Sequence, residues 1–254
     1  MTRNHLSAAL AAVFVFTTAS AGAAAPEVSK AISSAVADSA RPDEDRQRDA
    51  ARHPAELLAF AGVKPGQKIA DYISGGGYFT RIFAKAVGPK GHVYAVWPQF
   101  IAEHDKEDAA KIKALAAAPG YSNVSYALTP DDRFTVSEPL DLVWTSQNYH
   151  DLQFGLKPDQ IVQVDKAIFA ALKPGGVFLV IDHVAAAGSG WTVARTLHRI
   201  DPAAIKADMA AAGFVLEGES DVLRNPADPH TAGVFDPSIR GKTDQVVLKF
   251  VRPK

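Results

Sequence analysis

The side chains best suited to chemistry follow one short apolar segment. The segment LDLVWTS leads into QNYHD, and the two together contribute Ser146, Asn148, His150 and Asp151. Histidine titrates near neutral pH and can accept or donate a proton, so His150, with Asp151 beside it in sequence, is a candidate catalytic base. The alternative is a histidine that only hydrogen-bonds its own loop, which is the more common role.

Six further polar residues are weaker candidates: Asp182, His183, Arg195, His198, Arg199 and His230. The first two follow the apolar run GVFLVI and pose the same choice between proton transfer and local structure. The next three could hold an anionic substrate, although a solvated helix face is the more usual role. The last lies in a long polar loop, residues 223–245, that could cover a site. No spacing such as H-x-x-x-H supports a metal site.

A run of three glycines, Gly75 to Gly77, follows the apolar segment KIADYI and precedes a helical pattern. A glycine turn between a strand and a helix lets backbone N–H groups approach a ligand such as a nucleotide, although a purely structural tight turn is the alternative. The dinucleotide fingerprint G-x-G-x-x-G needs a third glycine where Thr80 stands. It also needs a later ribose-binding acid, and the strand HVYAVW ends instead in Trp97.

Composition excludes several classes of function. The chain has 254 residues, a formal net charge of −1 and a charged fraction of 22%. This balance, with no dense basic stretch, argues against nucleic acid as a partner. The absence of cysteine excludes disulfides and thiolate metal sites.

The N-terminal residues have the order of a secretory signal peptide. A single arginine precedes a short apolar stretch, and small residues follow it up to residue 25. The apolar stretch is shorter than the roughly 20 residues that a membrane-spanning helix needs. We therefore predict a signal peptide over 1–25, a polar, solvated lead-in or marginal helix over 26–52, and one domain over 53–254. The mature protein is expected in the periplasm or secreted, without stable membrane insertion.

From residue 54 onward, apolar strand patterns alternate with amphipathic helix patterns. This alternation predicts an α/β fold with a mostly parallel sheet of seven strands and helices on both faces. The last two strands are separated by a long loop with no helix, which favours an antiparallel final strand. The glycine turn lies at the carboxyl end of the first strand, where open α/β sheets bind ligands.

The chain resembles the class I S-adenosylmethionine-dependent methyltransferases, and among them a group of uncharacterised exported predicted methyltransferases. DYISGGG is similar to their motif D-x-G-x-G-x-G, with Ile73 at the first glycine, and LKPGG resembles the turn into their fifth strand. The resemblance runs from about residue 54 to the end. It implies a Rossmann-like fold, S-adenosylmethionine as cofactor and a small-molecule acceptor. It also implies cofactor contacts at Asp71, Ser74, Gly75, Gly77, Trp97, Asp131, Ser146 and Asn148.

Two departures from the family pattern leave other functions open. Ile73 is bulkier than glycine, and the indole of Trp97 cannot accept hydrogen bonds from two ribose hydroxyls. A non-catalytic periplasmic protein that binds another ligand in the same cleft is therefore the main alternative to a methyltransferase. A hydrolytic or isomerising enzyme that uses His150 and Asp151 is the third.

Overall fold

The computed structural model of the protein describes residues 27–254. The predicted signal peptide, residues 1–25, lies outside the described residues and stays a prediction. Within residues 27–254, no helix combines the length and the hydropathy required to cross a bilayer.

Seven strands form one sheet in the order β3-β2-β1-β4-β5-β7-β6. The strands are β1 (Lys68–Tyr72), β2 (His92–Pro98), β3 (Val124–Thr129), β4 (Leu140–Ser146), β5 (Leu172–His183), β6 (Val215–Ser220) and β7 (Gln245–Val251). Strands β1 to β5 pair in parallel, whereas β7 runs antiparallel to both of its neighbours. The predicted Rossmann-like sheet with an antiparallel last strand is confirmed.

The helices cover both faces of this sheet and bury one apolar cluster on each. They are α1 (Lys30–Val36), α2 (Asp43–Gln47), α3 (Asp49–Arg52), α4 (Pro54–Ala61), α5 (Tyr78–Val87), α6 (Gln99–His104), α7 (Lys106–Ala117), α8 (Pro158–Ala171), α9 (Ala194–Leu197) and α10 (Pro202–Ala212). Short 3-10 helices span Pro119–Tyr121 and His150–Phe154. The second of these lies in the loop that follows the carboxyl end of β4.

Helix α10 shows how local sequence sets the helix limits. Asp201 caps the N-terminus by accepting a hydrogen bond from the backbone N–H of Ala203, and Pro202 opens the first turn. Gly213 ends the helix with φ of 101°, a left-handed conformation that glycine adopts at little cost.

Residues 30–52 form three short helices, α1 to α3, so the marginal helix describes this segment better than the solvated lead-in, the other alternative from the sequence. Ile32 and Ala35 of α1 are buried in the core cluster that also contains α4 and α5. Arg41 is 1% exposed and forms an ion pair of 2.7 Å with Asp49. Tyr78 of α5 donates its hydroxyl proton to the same carboxylate at 2.6 Å. The polar residues of this segment are therefore used in internal contacts, which anchors α1 to α3 beside the sheet edge.

Candidate functional site

A cavity of about 560 Å³ lies at the carboxyl ends of β1, β4 and β5. Its walls are the glycine turn after β1, the first turns of α5 and α7, helices α2 and α3, and the loop after β4. Val234 and Phe235 of the long 223–245 loop close one side. The cavity therefore occupies the edge at which parallel α/β sheets bind ligands.

The glycine turn presents two of its three glycines to this cavity. Gly75 and Gly76 line it, and Gly75 has a φ of 52°. Gly77 does not line the cavity. A Cβ at Gly77 would lie 2.8 Å from Ile112 Cδ1 and 3.0 Å from Leu115 Cδ2, so this position is glycine because α7 packs directly on it. The cofactor contacts predicted at Gly75 and Gly77 stay predictions, and at Gly77 the packing of α7 is a second reason for glycine.

Asp71 lies at the floor of the cavity and is 3% exposed. The Thr80 hydroxyl donates to its carboxylate at 2.6 Å. Burial raises the pKa of Asp71 to about 7, although the Thr80 hydrogen bond and the charge of Arg52 act in the opposite direction. Asp71 is thus a carboxyl group that changes charge near neutral pH.

Three other predicted contact residues line the cavity: Ser74, Ser146 and Asn148. The Asn148 side-chain amide donates to the Ile73 carbonyl at 2.6 Å and to the Ser146 carbonyl at 2.8 Å. These bonds tie the loop after β4 to the glycine turn. Ile73 itself has a φ of 58°, a left-handed conformation that non-glycine residues usually avoid.

Trp97 and Asp131 are not among the residues that line the cavity, and their predicted cofactor contacts stay predictions. The Trp97 indole is fully buried in the core and donates to the Ser74 hydroxyl at 2.9 Å. The Asp131 carboxylate accepts the backbone N–H of Phe100 at 2.8 Å, which places it as a cap on the start of α6. In this structure both side chains are therefore engaged in contacts within the protein.

His150, Asp151 and His198 form a compact cluster on the cavity wall, although His198 is 47 residues beyond Asp151 in the chain. His150 Nδ1 lies 2.7 Å from Asp182 Oδ1. Its Nε2 lies 3.1 Å from Asp151 Oδ1 and 3.3 Å from His198 Nδ1. The predicted pairing of His150 with Asp151 therefore exists, and Asp182 completes it from the other side of the ring.

The charges around His150 argue against its predicted role as a base. Burial by itself lowers the pKa of this imidazole, but the charge of Asp182 and the hydrogen bonds with both aspartates outweigh burial and raise the pKa to about 10. For Asp151, burial favours the neutral form, yet hydrogen bonds from His150 and His198 hold the pKa well below its ordinary value. The raised pKa keeps His150 protonated at neutral pH, and a metal ion at Nε2 would have to displace this proton.

Of the four remaining weaker candidates, His183 lines the cavity and the other three do not. His183 lines the cavity, and burial lowers its pKa to about 4 despite the nearby charge of Asp182. Arg199 is fully buried in an ion pair of 2.8 Å with Asp228, so it is not free to hold a substrate. Arg195 lies over the Phe154 ring outside the cavity wall. His230 contacts Asp244 at 3.0 Å, and the long loop reaches the cavity through Phe235 instead.

Among the charged cavity residues that were not predicted from the sequence are two pairs, one before the sheet and one in α7. Arg48 and Arg52 belong to the supposed lead-in, and both guanidinium groups lie over the Tyr78 ring at 5.2 and 4.8 Å. Asp108 and Lys111 lie in α7, and the Asp108 carboxylate packs against the backbone of the glycine turn. The one available signal was the spacing of Arg48 and Arg52, four residues apart immediately before a Pro-initiated helix.

Among the described residues, Arg48 and Arg52 both line the cavity without an ion-pair partner, and Arg52 is the less exposed of the two. Its Nη2 donates to Gln147 Oε1 at 2.6 Å. Burial and then the charge of Arg48 lower its pKa to about 10, while Tyr78, Asp45 and Asp71 oppose that shift. The group is still cationic at neutral pH. A guanidinium that is largely removed from water and lacks a carboxylate partner is suited to an anionic group of a ligand.

No protein-family model matches the chain. The chain is 31% identical over 137 residues to the ubiquinone/menaquinone biosynthesis C-methyltransferase UbiE of Hydrogenovibrio crunogenus. This alignment covers 52% of this chain and 46% of that protein. It spans about half the length of the curated relatives it matches.

Solved structures share the fold at low identity. An S-adenosylmethionine-dependent methyltransferase from Mesorhizobium loti superposes with a TM-score of 0.55 at 17% identity, over 80% of this chain and 98% of that one. The [4+2]-cyclase SpnF gives a TM-score of 0.56 at 17% identity, over 82% of this chain and 80% of that one. Identities this low establish the fold alone.

The sheet order and the solved structures show that the chain has the fold of the class I S-adenosylmethionine-dependent methyltransferases. Over about half of its length it is also similar in sequence to a curated C-methyltransferase.

Proposed function

We propose that the protein binds S-adenosylmethionine in this cavity and transfers its methyl group to a small-molecule acceptor that is not yet identified. The observation that carries the proposal is the cavity of about 560 Å³ into which Gly75 and Gly76 present their backbone. This volume lies within the roughly 300–1,000 Å³ typical of small-molecule sites.

Three features of the cavity fit the parts of S-adenosylmethionine. The backbone of Gly75 and Gly76 allows close approach, with the N-terminus of α5 directly behind. The guanidinium of Arg52 matches the carboxylate of the amino-acid part. The carboxylate of Asp108 beside the same turn can accept hydrogen bonds from ribose hydroxyls, a role for which Trp97 and Asp131 are not placed.

The role of the chain in methyl transfer is to orient and enclose the reactants. When bound, S-adenosylmethionine supplies a methyl group on a sulfonium, which an acceptor attacks in line. Arg52 would hold the carboxylate of the ligand and Asp108 its ribose, and the acceptor would enter beside Phe235 and His198. Positioning of this kind is a large part of the rate in two-reactant chemistry. Tyr78 and Phe79 form an aromatic wall that limits water access.

A non-catalytic ligand-binding protein is the second candidate. The withdrawal of Trp97 and Asp131 from the cavity favours it, because these are the positions that would recognise the adenosine part. The same fold in a cyclase also shows that the architecture alone does not determine the reaction.

We further propose that the protein is exported. The order of charged, apolar and small residues before residue 26 supports this proposal. Cell fractionation followed by N-terminal sequencing tests it: a mature protein outside the cytoplasm that begins near residue 22 or 26 is expected, and a cytoplasmic chain that begins at Met1 would contradict it.

Calorimetric titration with S-adenosylmethionine and S-adenosylhomocysteine tests the binding proposal. We expect saturable binding of both by the parent protein, and at least about tenfold weaker binding, equal to about 1.4 kcal/mol, by Gly75→Val. The variant must retain its melting transition, which circular dichroism checks. Binding that is equal in parent and folded Gly75→Val would refute the site, and absence of binding by the parent would favour the second candidate.

A further inference from the structure

The cluster of His150, Asp151 and His198 has the composition of a metal site. The three facing atoms are His150 Nε2, Asp151 Oδ1 and His198 Nδ1. They are separated by 3.1 Å, 3.3 Å and 3.4 Å. Two imidazoles and one carboxylate are a ligand set used by catalytic zinc and by non-haem iron centres.

The separations match those of ligands around one ion. Zinc bonds to nitrogen and oxygen ligands of about 2.0–2.1 Å, arranged as a tetrahedron, place the ligand atoms about 3.3–3.4 Å apart. An octahedral ion with the same bonds would bring them closer, to about 2.9–3.0 Å. The observed set is nearer to the tetrahedral value, so an ion could enter between the three atoms without a large movement of the chain.

The surroundings of the cluster hold two of the ligands in the required orientation. Asp182 Oδ1 accepts from His150 Nδ1 at 2.7 Å, and Asp182 Oδ2 accepts the His150 backbone N–H at 2.8 Å. A carboxylate behind a histidine fixes which nitrogen is free to bind a metal. The His198 ring stacks on Phe154 at 5.3 Å and meets the edge of Phe235 at 5.0 Å.

His198 also has a strained backbone. Its φ is 53°, in the left-handed region, at the C-terminal end of α9. Such conformations cost free energy in non-glycine residues and are found preferentially at functional sites. Together with the aromatic contacts, this conformation places Nδ1 toward His150 and Asp151.

All three residues line the cavity, so the fourth position of a tetrahedral ion would face the ligand space. We propose that His150 Nε2, His198 Nδ1 and Asp151 Oδ1 bind one divalent transition-metal ion, for which Zn²⁺ is the best match. Imidazole nitrogens favour this class of ion over Mg²⁺, which prefers oxygen ligands. With three protein ligands and one open position, the site has the form of a catalytic centre and acts as a Lewis acid toward the cavity.

Calorimetry on the full-length protein, dialysed against chelator and free of any histidine tag, tests this site. We expect one Zn²⁺ per chain and no comparable heat with Mg²⁺. His198→Ala should remove high-affinity binding, because it deletes one of three ligands. Asp182→Asn, which acts only through His150, should weaken binding about 10–100-fold.

His230→Ala is the matched control. This histidine also contacts a carboxylate, Asp244 at 3.0 Å, but lies outside the cluster, so the variant should bind Zn²⁺ like the parent. The visible spectrum after Co²⁺ substitution gives an independent readout, with the intense absorption of tetrahedral cobalt expected in the parent and lost in His198→Ala. A parent that does not bind Zn²⁺, or binding that His198→Ala leaves unchanged, would overturn the proposal. Since neither measurement uses S-adenosylmethionine, the result is independent of the proposed function.

Discussion

Two glycines of the same turn, Gly75 and Gly77, are expected to respond differently to the same substitution. Gly75 and Gly77 both have positive φ, at 52° and 88°. A Cβ at Gly75 would have as its nearest neighbour Asp108 Oδ2, at 3.6 Å, which is ordinary contact. A Cβ at Gly77 would lie 2.8 Å from Ile112 Cδ1, inside contact distance. Gly75→Ala and Gly77→Ala therefore share the backbone strain but differ in steric overlap.

The magnitude follows from these two terms. An alanine in the left-handed region costs roughly 1–2 kcal/mol at either position. Overpacking adds roughly 1–3 kcal/mol at Gly77, where Ile112 is fully buried and has little room to move. For a domain of this size 1 kcal/mol corresponds to a shift of about 2–4 °C in Tm. Gly77→Ala should thus melt roughly 2–12 °C below Gly75→Ala.

Thermal unfolding of both variants and the parent measures this difference, and titration with S-adenosylhomocysteine completes the comparison. Gly75→Ala should keep most of the stability and lose affinity, because its side chain points toward the cavity. Gly77→Ala should lose stability and, below its Tm, retain most of the affinity. Equal Tm values for the two variants would refute the assignment of Gly77 to helix packing.

Three further predictions concern charges in the cavity. Between pH 3.8, the ordinary pKa of this group, and about pH 7, Asp71 is neutral in the folded protein and ionised in the unfolded chain. Its contribution to stability therefore falls as pH rises through this window, and above about pH 7 the total loss is on the order of 4 kcal/mol. Asp71→Asn should remove this cost, and its Tm relative to the parent should rise from pH 4 to pH 8; an unchanged difference would contradict the raised pKa. Arg52→Gln should weaken S-adenosylhomocysteine binding by roughly 1.5–3 kcal/mol, because a charged hydrogen bond is lost, whereas Arg195→Gln, outside the cavity wall, should not. Asp108→Asn should weaken the same binding, measured by calorimetry, while Glu107→Gln, which removes the other carboxylate near Lys111, should leave it intact; equal effects of the two would exclude Asp108 as a ligand contact.

The fold could be predicted from the sequence because periodicity and order carry it. Apolar strands alternate with amphipathic helices, and the long loop before β7 leaves no helix for a parallel crossover. The position of the cavity also followed, since the carboxyl ends of parallel strands meet at one edge. Gly75, Asp71 and the loop after β4 were found in this way.

The composition of the cavity walls could not be predicted because it depends on contacts between distant segments. Arg52 is polar and stands in a charged stretch, and only its contacts with Tyr78 and Gln147, both distant in sequence, place it in the cavity. His198 joins His150 through the path of the chain after β5, which no spacing rule encodes. The hydrogen bond of Trp97 to Ser74 and that of Asp131 to the backbone of Phe100 likewise join segments that are distant in sequence.

The central claim is that a ligand of the S-adenosylmethionine type occupies the cavity beside the glycine turn. A crystal structure with S-adenosylhomocysteine, at a concentration that titration has shown to saturate the protein, tests it most directly. We expect density for S-adenosylhomocysteine in contact with Gly75 and Gly76, with the carboxylate of the ligand at Arg52 and its ribose at Asp108. Density bound elsewhere on the protein, or a glycine turn without ligand at that saturating concentration, would contradict it.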